Sequence, residues 1–181
     1  MGARGFTLLE LQVVVAVLAV FAAVAVPSLA PAGPEKVEAA ALQVAEALRF
    51  ARDEALRTGE VHGVRVLRDT GQVTVYRFNG ASDPPFLGTI LYHPVSKLPF
   101  DFFVPEGAGG AGVSIGNVDH PFSYRGDGTW RRDVLFAPAG TPVTILGGAV
   151  HQLQIGQVDL AYDGYQCSVL LAPITGRVTI Q

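Results

Sequence analysis

The sequence has little of what disulfide scaffolds, metal centres and nucleic-acid-binding domains require. It contains one cysteine, Cys167, so no disulfide can form within the chain. Its four histidines are scattered, without the spacing of a metal-ligand set. Charged residues make up only 16% of the 181 residues, and the formal net charge is −3. The composition therefore predicts no metal site, and it provides no basic field that would attract nucleic acid.

Sequence motifs for catalysis are also missing. The glycine-rich residues 107–112 are not followed by the Lys-Ser or Lys-Thr pair of a phosphate-binding loop. Asp119, Asp127 and Asp133 lack the spacing of a calcium-binding loop. No nucleophile, base and acid can be grouped from their order alone. We therefore predict no catalytic residue and no cofactor, and we expect that the protein is not an enzyme.

What the sequence has in excess is one apolar run near its N-terminus. Between Leu11 and Val26 every residue except Gln12 is apolar. A helix over residues 6–30 would be about 37 Å long at ~1.5 Å per residue, which is enough to cross a ~30 Å hydrocarbon layer. Pro27 ends the run, and together with Pro31 and residues 33–34 it predicts a helix break near residues 27–34.

An acid at the start of this run, Glu10, separates three hypotheses. A secretory signal peptide would use Arg4 as its basic region and residues 23–25 as its cleavage site. A plain membrane anchor would use the run uncut. Neither explains Glu10, because a charge in the bilayer costs roughly 2.5–3.5 kcal/mol or more. In the third hypothesis a peptidase cuts after Gly5, and Phe6 becomes a charged N-terminus one helical turn from Glu10. The carboxylate can then neutralise its own amine or that of a neighbouring subunit.

The rest of the chain predicts one amphipathic helix and a β-rich domain. Pro34 suits the first turn of a helix over residues 34–58, and Gly59 suits its C-terminal cap. Apolar residues recur at spacings of three and four and define the buried face: Val37, Ala41, Val44, Leu48, Ala51 and Ala55. A second, charged side should be a solvated face with ion pairs: Glu46, Arg49, Asp53 and Arg57.

Alternating apolar residues predict antiparallel strands through residues 59–181. Segments "VHGVRVL" and "QVTVYRF" flank "RDTG", which indicates a hairpin. Further strands are predicted at "DGTWRRDVLFAP", "VDLAY", "YQCSVLLAP" and "ITGRVTIQ", with a tight turn at Asp163-Gly164. Residues 79–117 hold seven glycines and five prolines, so we expect loops with short strands there.

The N-terminal residues resemble the prepilin-peptidase motif of type IV pilins and type II secretion pseudopilins. Residues 1–5 resemble the short basic leader that ends in glycine, and residues 6–10, "FTLLE", match the pattern that follows the cut. Pro27 falls where pilins commonly carry a helix-perturbing proline. The resemblance implies that prepilin peptidase removes residues 1–5, that Phe6 is N-methylated, and that Glu10 directs assembly.

Other fragments are similar to the GspH/FimT class of minor pseudopilins and minor pilins. They are Ala51-Arg52-Asp53-Glu54-Ala55, then Phe136 with Pro138 and Gly140, and finally Gly176-Arg177. This resemblance implies an α+β, pilin-like fold: a long N-terminal hydrophobic helix over residues 6–30, broken near 27–34, a helix over 34–58 and an antiparallel β-sheet domain over 59–181. It also implies a single-pass inner-membrane protein with a periplasmic C-terminal domain. The implied partners are prepilin peptidase, other major and minor pseudopilins or pilins, and the inner-membrane assembly platform.

Three functions are consistent with these features. The first is a minor pseudopilin at or near the tip of a type II secretion pseudopilus. The second is a FimT-like minor type IV pilin that primes pilus assembly or DNA uptake, and the third is a soluble exported binding protein with an ordinary signal peptide. Some FimT-like pilins bind DNA through a C-terminal Gly-Arg-x-Arg motif. Here Val178 and Thr179 follow Arg177, so the second arginine is missing, and we expect Arg177 to be an edge-strand residue and nucleic acid not to be a partner.

Overall fold

A computed structural model describes residues 8–25, 33–80, 88–104, 112–116, 120–126, 128 and 130–181. The chain divides into two units, Met1–Ala32 and Gly33–Gln181. In the first unit, helix α1 spans Leu8–Ala25. No helix among the described residues has both the length and the apolar character that a membrane crossing requires. The helix break is predicted near residues 27–34; Pro27 and the other residues at 26–32 lie outside the described residues, and residues 33–34 already belong to the next helix.

The second unit begins with helix α2, which spans Gly33–Thr58 and confirms the predicted amphipathic helix. It ends where predicted, because Gly59 adopts a φ of +70° and its N–H donates to the carbonyl oxygen of Ala55 at 3.0 Å. All six predicted apolar positions are buried, and the buried face is wider than predicted because it includes three more alanines. These are Ala40, Ala45 and Ala47. Small side chains on this face let the helix axis lie close to the sheet.

Twelve β-strands occur in the part of the chain that the structure describes: β1 (His62–Leu67), β2 (Gln72–Arg77), β3 (Thr89–Ile90), β4 (Asp101–Phe103), β5 (Ser114–Ile115), β6 (Phe122–Tyr124), β7 (Trp130–Arg131), β8 (Asp133–Phe136), β9 (Pro142–Leu146), β10 (Ala149–Tyr162), β11 (Tyr165–Leu171) and β12 (Val178–Ile180). The main path through the sheet is β12-β11-β10-β9-β8-β1-β2-β3, and its pairings are antiparallel. Four short strands lie off this path: β4 pairs with β2, β5 with β10, β6 with β10, and β7 with β6.

The predicted β1–β2 hairpin and the predicted tight turn at Asp163-Gly164 are both confirmed. Gly71, at a φ of +70°, closes the β1–β2 hairpin. Asp163 and Gly164, at φ values of +48° and +82°, close the β10–β11 hairpin, as a two-residue turn with two positive φ angles requires. The described residues between 79 and 117 form short strands of two or three residues, as expected.

Strand β10 is longer than predicted. The segment "VDLAY" is only the end of a strand of 14 residues that starts at Ala149. Over its length β10 pairs first with β9, then with β6, and finally with β11, and its register shifts between Leu153 and Ile155. The strand therefore leaves one part of the sheet and enters another. Its mixed polar and apolar sequence reflects these changes of neighbour, so no single alternation marks it.

The hydrophobic core lies between α2 and this bent sheet. Helix α2 contacts β1, β2, β8, β10, β11 and β12. The largest fully buried apolar side chains include Leu48 from the helix and Phe122, Tyr124 and Phe136 from the strands. Burying a side chain such as that of Leu48 stabilises the fold by about 1.5–3 kcal/mol. A smaller apolar cluster of Tyr76, Leu135 and Val143 lies apart from the main core.

Candidate functional site

The proposed processing and assembly residues lie in or next to α1. Gly5, Phe6 and Pro27 are outside the described residues. Glu10 lies in the first turn of α1, where a carboxylate interacts favourably with the helix dipole. Leu8, Leu9 and Leu11 around it are exposed, and so is each side chain onward to Phe21. Helix α1 therefore presents one acid within a large exposed apolar surface.

Three of the sequence fragments that carry the family resemblance meet at one point of the second unit. Gly176 adopts a φ of +62°, and a Cβ atom on it would lie 2.5 Å from the carbonyl oxygen of Gly140 and 3.0 Å from Cδ of Arg52. Gly140 adopts a φ of +75° in the β8–β9 turn, where its N–H donates to Ala137 at 2.7 Å. A Cβ on Gly140 would lie 3.2 Å from Cγ of Leu56. Both glycines are thus required by backbone conformation and close packing.

Arg177 follows this junction and is exposed, immediately before the edge strand β12. Its backbone N–H donates to Oγ1 of Thr175 at 3.3 Å, and its carbonyl oxygen accepts from Ala172 at 2.9 Å. On the helix side, Nη2 of Arg49 donates to the carbonyl oxygen of Val178 at 3.3 Å. Arg177 is predicted to be an edge-strand residue, but the edge strand begins one residue later, at Val178.

The charged side of α2 is solvent-exposed, as predicted, at all four of its positions: Glu46, Arg49, Asp53 and Arg57. Its contacts differ from simple pairing within that set. Arg57 donates from Nε to Oε2 of Glu54 at 2.9 Å, and this hydrogen bond lowers the pKa of Glu54. Glu46 meets His93 instead, with 3.2 Å between Oε1 and Nε2. Ion pairs at such exposed sites contribute only about 0–1 kcal/mol each.

Sequence inspection missed a buried polar group around Asp133. Arg65 donates to it from Nε at 2.7 Å and from Nη2 at 3.3 Å, and the Tyr76 hydroxyl donates at 3.3 Å. The Tyr124 hydroxyl donates to the Asp133 carbonyl oxygen at 2.8 Å. Burial raises the pKa of Asp133 above its ordinary value, although Arg65 acts in the opposite direction. Burial and the Asp133 charge raise the pKa of Tyr76, so this phenol remains a proton donor.

This group has a structural explanation. Arg65 and Asp133 stand directly opposite each other where β1 pairs with β8, so their ion pair supports that register. Only the strand pairing brings them together, since 68 positions separate them in the chain. Asp119 and Asp127, considered with Asp133 as cation ligands, lie outside the described residues. Among the residues that the structure describes, no three His, Cys, Asp or Glu side chains are arranged to hold a metal ion.

Comparisons with known proteins identify the fold. No protein-family model matches the sequence, and no curated protein matches it either. Two solved structures of the minor pseudopilin EpsH, from the type 2 secretion system of Vibrio cholerae, align with TM-scores of 0.51 and sequence identities of 13% and 14%. Each alignment covers 81% of this chain, and 96% and 94% of the respective EpsH chains. The chain has a pilin-like fold.

A third solved structure also aligns with this chain. The type IV minor pilin FimU of Pseudomonas aeruginosa aligns with a TM-score of 0.47 and 12% identity, over 80% of this chain and 87% of that chain. The likeness to EpsH confirms the predicted antiparallel β-sheet domain with helices. The predicted long hydrophobic helix over residues 6–30 stays a prediction.

Proposed function

We propose that the protein is a minor pseudopilin, a structural and non-catalytic subunit at or near the tip of a type II secretion pseudopilus. The observation that carries this proposal is the joint presence of a pilin-like fold and, ahead of it in the chain, the sequence Gly5-Phe6-Thr7-Leu8-Leu9-Glu10. A cleavage glycine, an acid at the fifth position after it and an apolar run have separate chemical roles. Their joint presence ahead of this fold supports processing and assembly as a pilin-like subunit.

In the proposed sequence of events, residues 6–30 hold the precursor in the inner membrane with the β-domain in the periplasm. Prepilin peptidase cuts after Gly5, and Phe6 is N-methylated. The assembly platform then moves the subunit into a filament with other major and minor pseudopilins. The exposed apolar side chains of α1 support this role, because a helix of that kind needs lipid or neighbouring helices around it.

In this proposal Glu10 determines where one subunit docks on the next. Between packed apolar helices the effective dielectric constant is low, so an unpaired carboxylate is costly and a paired one is favoured. The positive N-terminal amine of a neighbouring mature subunit is a suitable partner. One subunit therefore docks where its Glu10 meets the next subunit's Phe6 amine, which sets their axial position.

Determining the mature N-terminus tests the processing step. The protein is recovered from membranes of a strain that has its own prepilin peptidase, and its mass and N-terminal sequence are measured. We expect N-methylphenylalanine at Phe6. A start at Val26, or an uncut Met1, would reject the pilin-type hypothesis. A bulky or charged residue in place of Gly5 should block the cut, whereas Gly5→Ala should often be tolerated.

Replacing Glu10 tests the docking step. Glu10→Ala should leave cleavage largely intact and strongly reduce the amount of subunit recovered with sheared filaments. Gln12→Ala is the matched control, since it changes an exposed polar side chain of the same helix without removing a charge. Equal incorporation of both variants would contradict the docking role of Glu10.

Deleting the gene separates secretion from the alternative function. A minor type IV pilin shares the processing motif, so cleavage alone does not distinguish the two systems. Loss of exported proteins from the medium with normal surface pili supports the pseudopilin assignment. Loss of pili or of DNA uptake with normal secretion would replace it with the minor-pilin function.

A further inference from the structure

A cleft beside the Arg65–Asp133 pair brings together basic and aromatic side chains. It has a volume of about 380 Å³. Its lining includes Arg65, His120, Trp130, Arg131, Arg132 and Asp133, which we call the arginine–tryptophan cleft. Trp130 is the only tryptophan of the chain. The β1–β8 register accounts for Arg65 and Asp133, but neither the fold nor the proposed filament role requires Trp130, Arg131 and Arg132 to lie beside them.

The charge of this cleft is opposite to that of the protein. Among its described lining residues are three guanidinium groups and the Asp133 carboxylate, and Asp69 pairs with Arg132 at the rim, so one positive charge remains in excess. The whole chain has a formal net charge of −3. Such a local reversal of charge favours an anionic ligand over a cationic or neutral one.

Arg65 and Arg132 differ in how strongly their guanidinium groups are held by carboxylates. Arg65 is fixed by its hydrogen bonds of 2.7 and 3.3 Å to Asp133 and shows the fork geometry in which a guanidinium meets a carboxylate. Arg132 has one weaker partner, Asp69, at 3.4 Å from Nη2, and Asp69 is well exposed. Its Nε is buried and, within the described structure, has no hydrogen-bond acceptor. Arg132 can therefore exchange a weak surface contact for a stronger one with an incoming carboxylate.

Trp130 provides an apolar surface next to these charges. It is 44% exposed and stands opposite Ser123 in the β6–β7 pair. Ile155, also 44% exposed, stands opposite Ser123 on the other side, in β10. Directly opposed residues share one face of a sheet, so Trp130 and Ile155 flank Ser123 on the same face. Because Trp130 lines the same cleft as Arg132, an apolar side chain of a partner can pack on Trp130 while an acidic neighbour meets Arg132.

We infer that the arginine–tryptophan cleft is a docking site for an acidic, partly apolar segment of a partner protein. Tryptophan and arginine are the side chains most enriched among binding hot spots, and the arginine fork matches a carboxylate in shape. Nucleic acid fits less well, because its affinity depends on neutralising many phosphates and this chain is acidic overall. The inference does not depend on filament assembly, since the cleft residues lie in the second unit.

The tryptophan makes the test specific to the cleft. The full chain in detergent micelles is titrated at low salt with a capped peptide Glu-Glu-Leu-Glu-Glu, and Trp130 fluorescence is recorded. Lys-Lys-Leu-Lys-Lys and an oligothymidylate are titrated in parallel. We expect a saturable change with the acidic peptide alone, and weaker binding as salt is added.

Arginine variants locate the contact. Arg132→Gln should weaken binding of the acidic peptide by about tenfold or more, as expected for loss of a hydrogen bond to a charged group. Arg132→Lys should fall between this variant and the unchanged protein, because it keeps the charge and loses the fork. Arg77→Gln is the matched control, since it removes the same charge from a 50% exposed arginine outside the cleft that pairs with Glu60.

Three results would overturn the inference. One is the absence of a saturable fluorescence change with the acidic peptide. Another is tighter binding of oligothymidylate, which would assign the cleft to nucleic acid instead. The third is an equal loss in the Arg132→Gln and Arg77→Gln variants, which would show attraction by overall charge alone. None of these results changes the outcome expected for Glu10, so the two proposals fail separately.

Discussion

Replacing Gly176 by alanine tests the junction where the family-like fragments meet. At a φ of +62° an alanine costs about 1–2 kcal/mol, because its Cβ crowds the following carbonyl group. The added Cβ would also lie 2.5 Å from the Gly140 carbonyl oxygen and 3.0 Å from Cδ of Arg52. The side chain of Arg52 can move, but the carbonyl oxygen belongs to a hydrogen-bonded turn. Such overpacking costs about 1–3 kcal/mol more.

The free energy of unfolding should therefore fall by about 2–5 kcal/mol in Gly176→Ala, less the ~0.4–1 kcal/mol that alanine gains by restricting the unfolded chain. Gly164→Ala is the matched control. Gly164 has a φ of +82°, but no atom lies within 4 Å of the position of its Cβ. Gly164→Ala therefore loses stability only through the unfavourable backbone conformation. The difference in unfolding free energy between the two variants measures the cost of the close contact at Gly176.

Urea denaturation followed by circular dichroism gives both free energies by linear extrapolation. We expect Gly176→Ala to be less stable than Gly164→Ala by about 1–3 kcal/mol. If the two variants lose the same stability, the close approach of the three fragments does not exist as described. Gly176 would then be explained by its backbone conformation alone.

Two further predictions concern the core and the buried acid. Leu48→Ala should cost about 2–5 kcal/mol because it leaves a cavity under α2, whereas Leu42→Ala, at a half-exposed position of the same helix, should cost less than about 1 kcal/mol in the same urea assay. Equal costs would contradict the assigned buried face. Burial raises the pKa of Asp133 above 3.8, so the folded chain holds this proton to a higher pH than the unfolded chain. Its contribution to stability is therefore greatest at low pH and falls as the pH rises through the folded-state pKa. Asp133→Asn should remove that pH-dependent step from unfolding free energies measured across the acid range, and an unchanged step would refute this assignment.

Local patterns in the sequence predicted the parts of the fold that depend on neighbours along the chain. The α2 face repeats at spacings of three and four because one side of a helix contacts the sheet, and its predicted apolar positions are buried. The Asp163-Gly164 turn was predictable because few residue pairs accept two positive φ angles. Strand β10 is only partly predicted, since its middle pairs with β6, a segment more distant in the chain than its hairpin neighbours β9 and β11.

The candidate sites also differ in whether their residues are close together or far apart in the chain. The processing and assembly residues Gly5, Phe6 and Glu10 lie within one six-residue motif, so they could be recognised in the sequence. The Arg65–Asp133 pair could not be recognised, because its partners are brought together only by the β1–β8 register. The arginine–tryptophan cleft was missed for the same reason, since it needs the short strand β7 to lie beside β1 and β8.

By itself, the sequence determined the apolar N-terminal run with its single acid, the amphipathic helix that follows, and the antiparallel character of the remaining domain. These features follow from side-chain periodicity and turn chemistry, which act over a few residues. Tertiary structure alone decided which strands pair, why Gly140 and Gly176 must be glycines, and where arginines collect around Trp130. These features depend on contacts between residues that are far apart in the chain. A local sequence pattern does not show which of those residues come close in space.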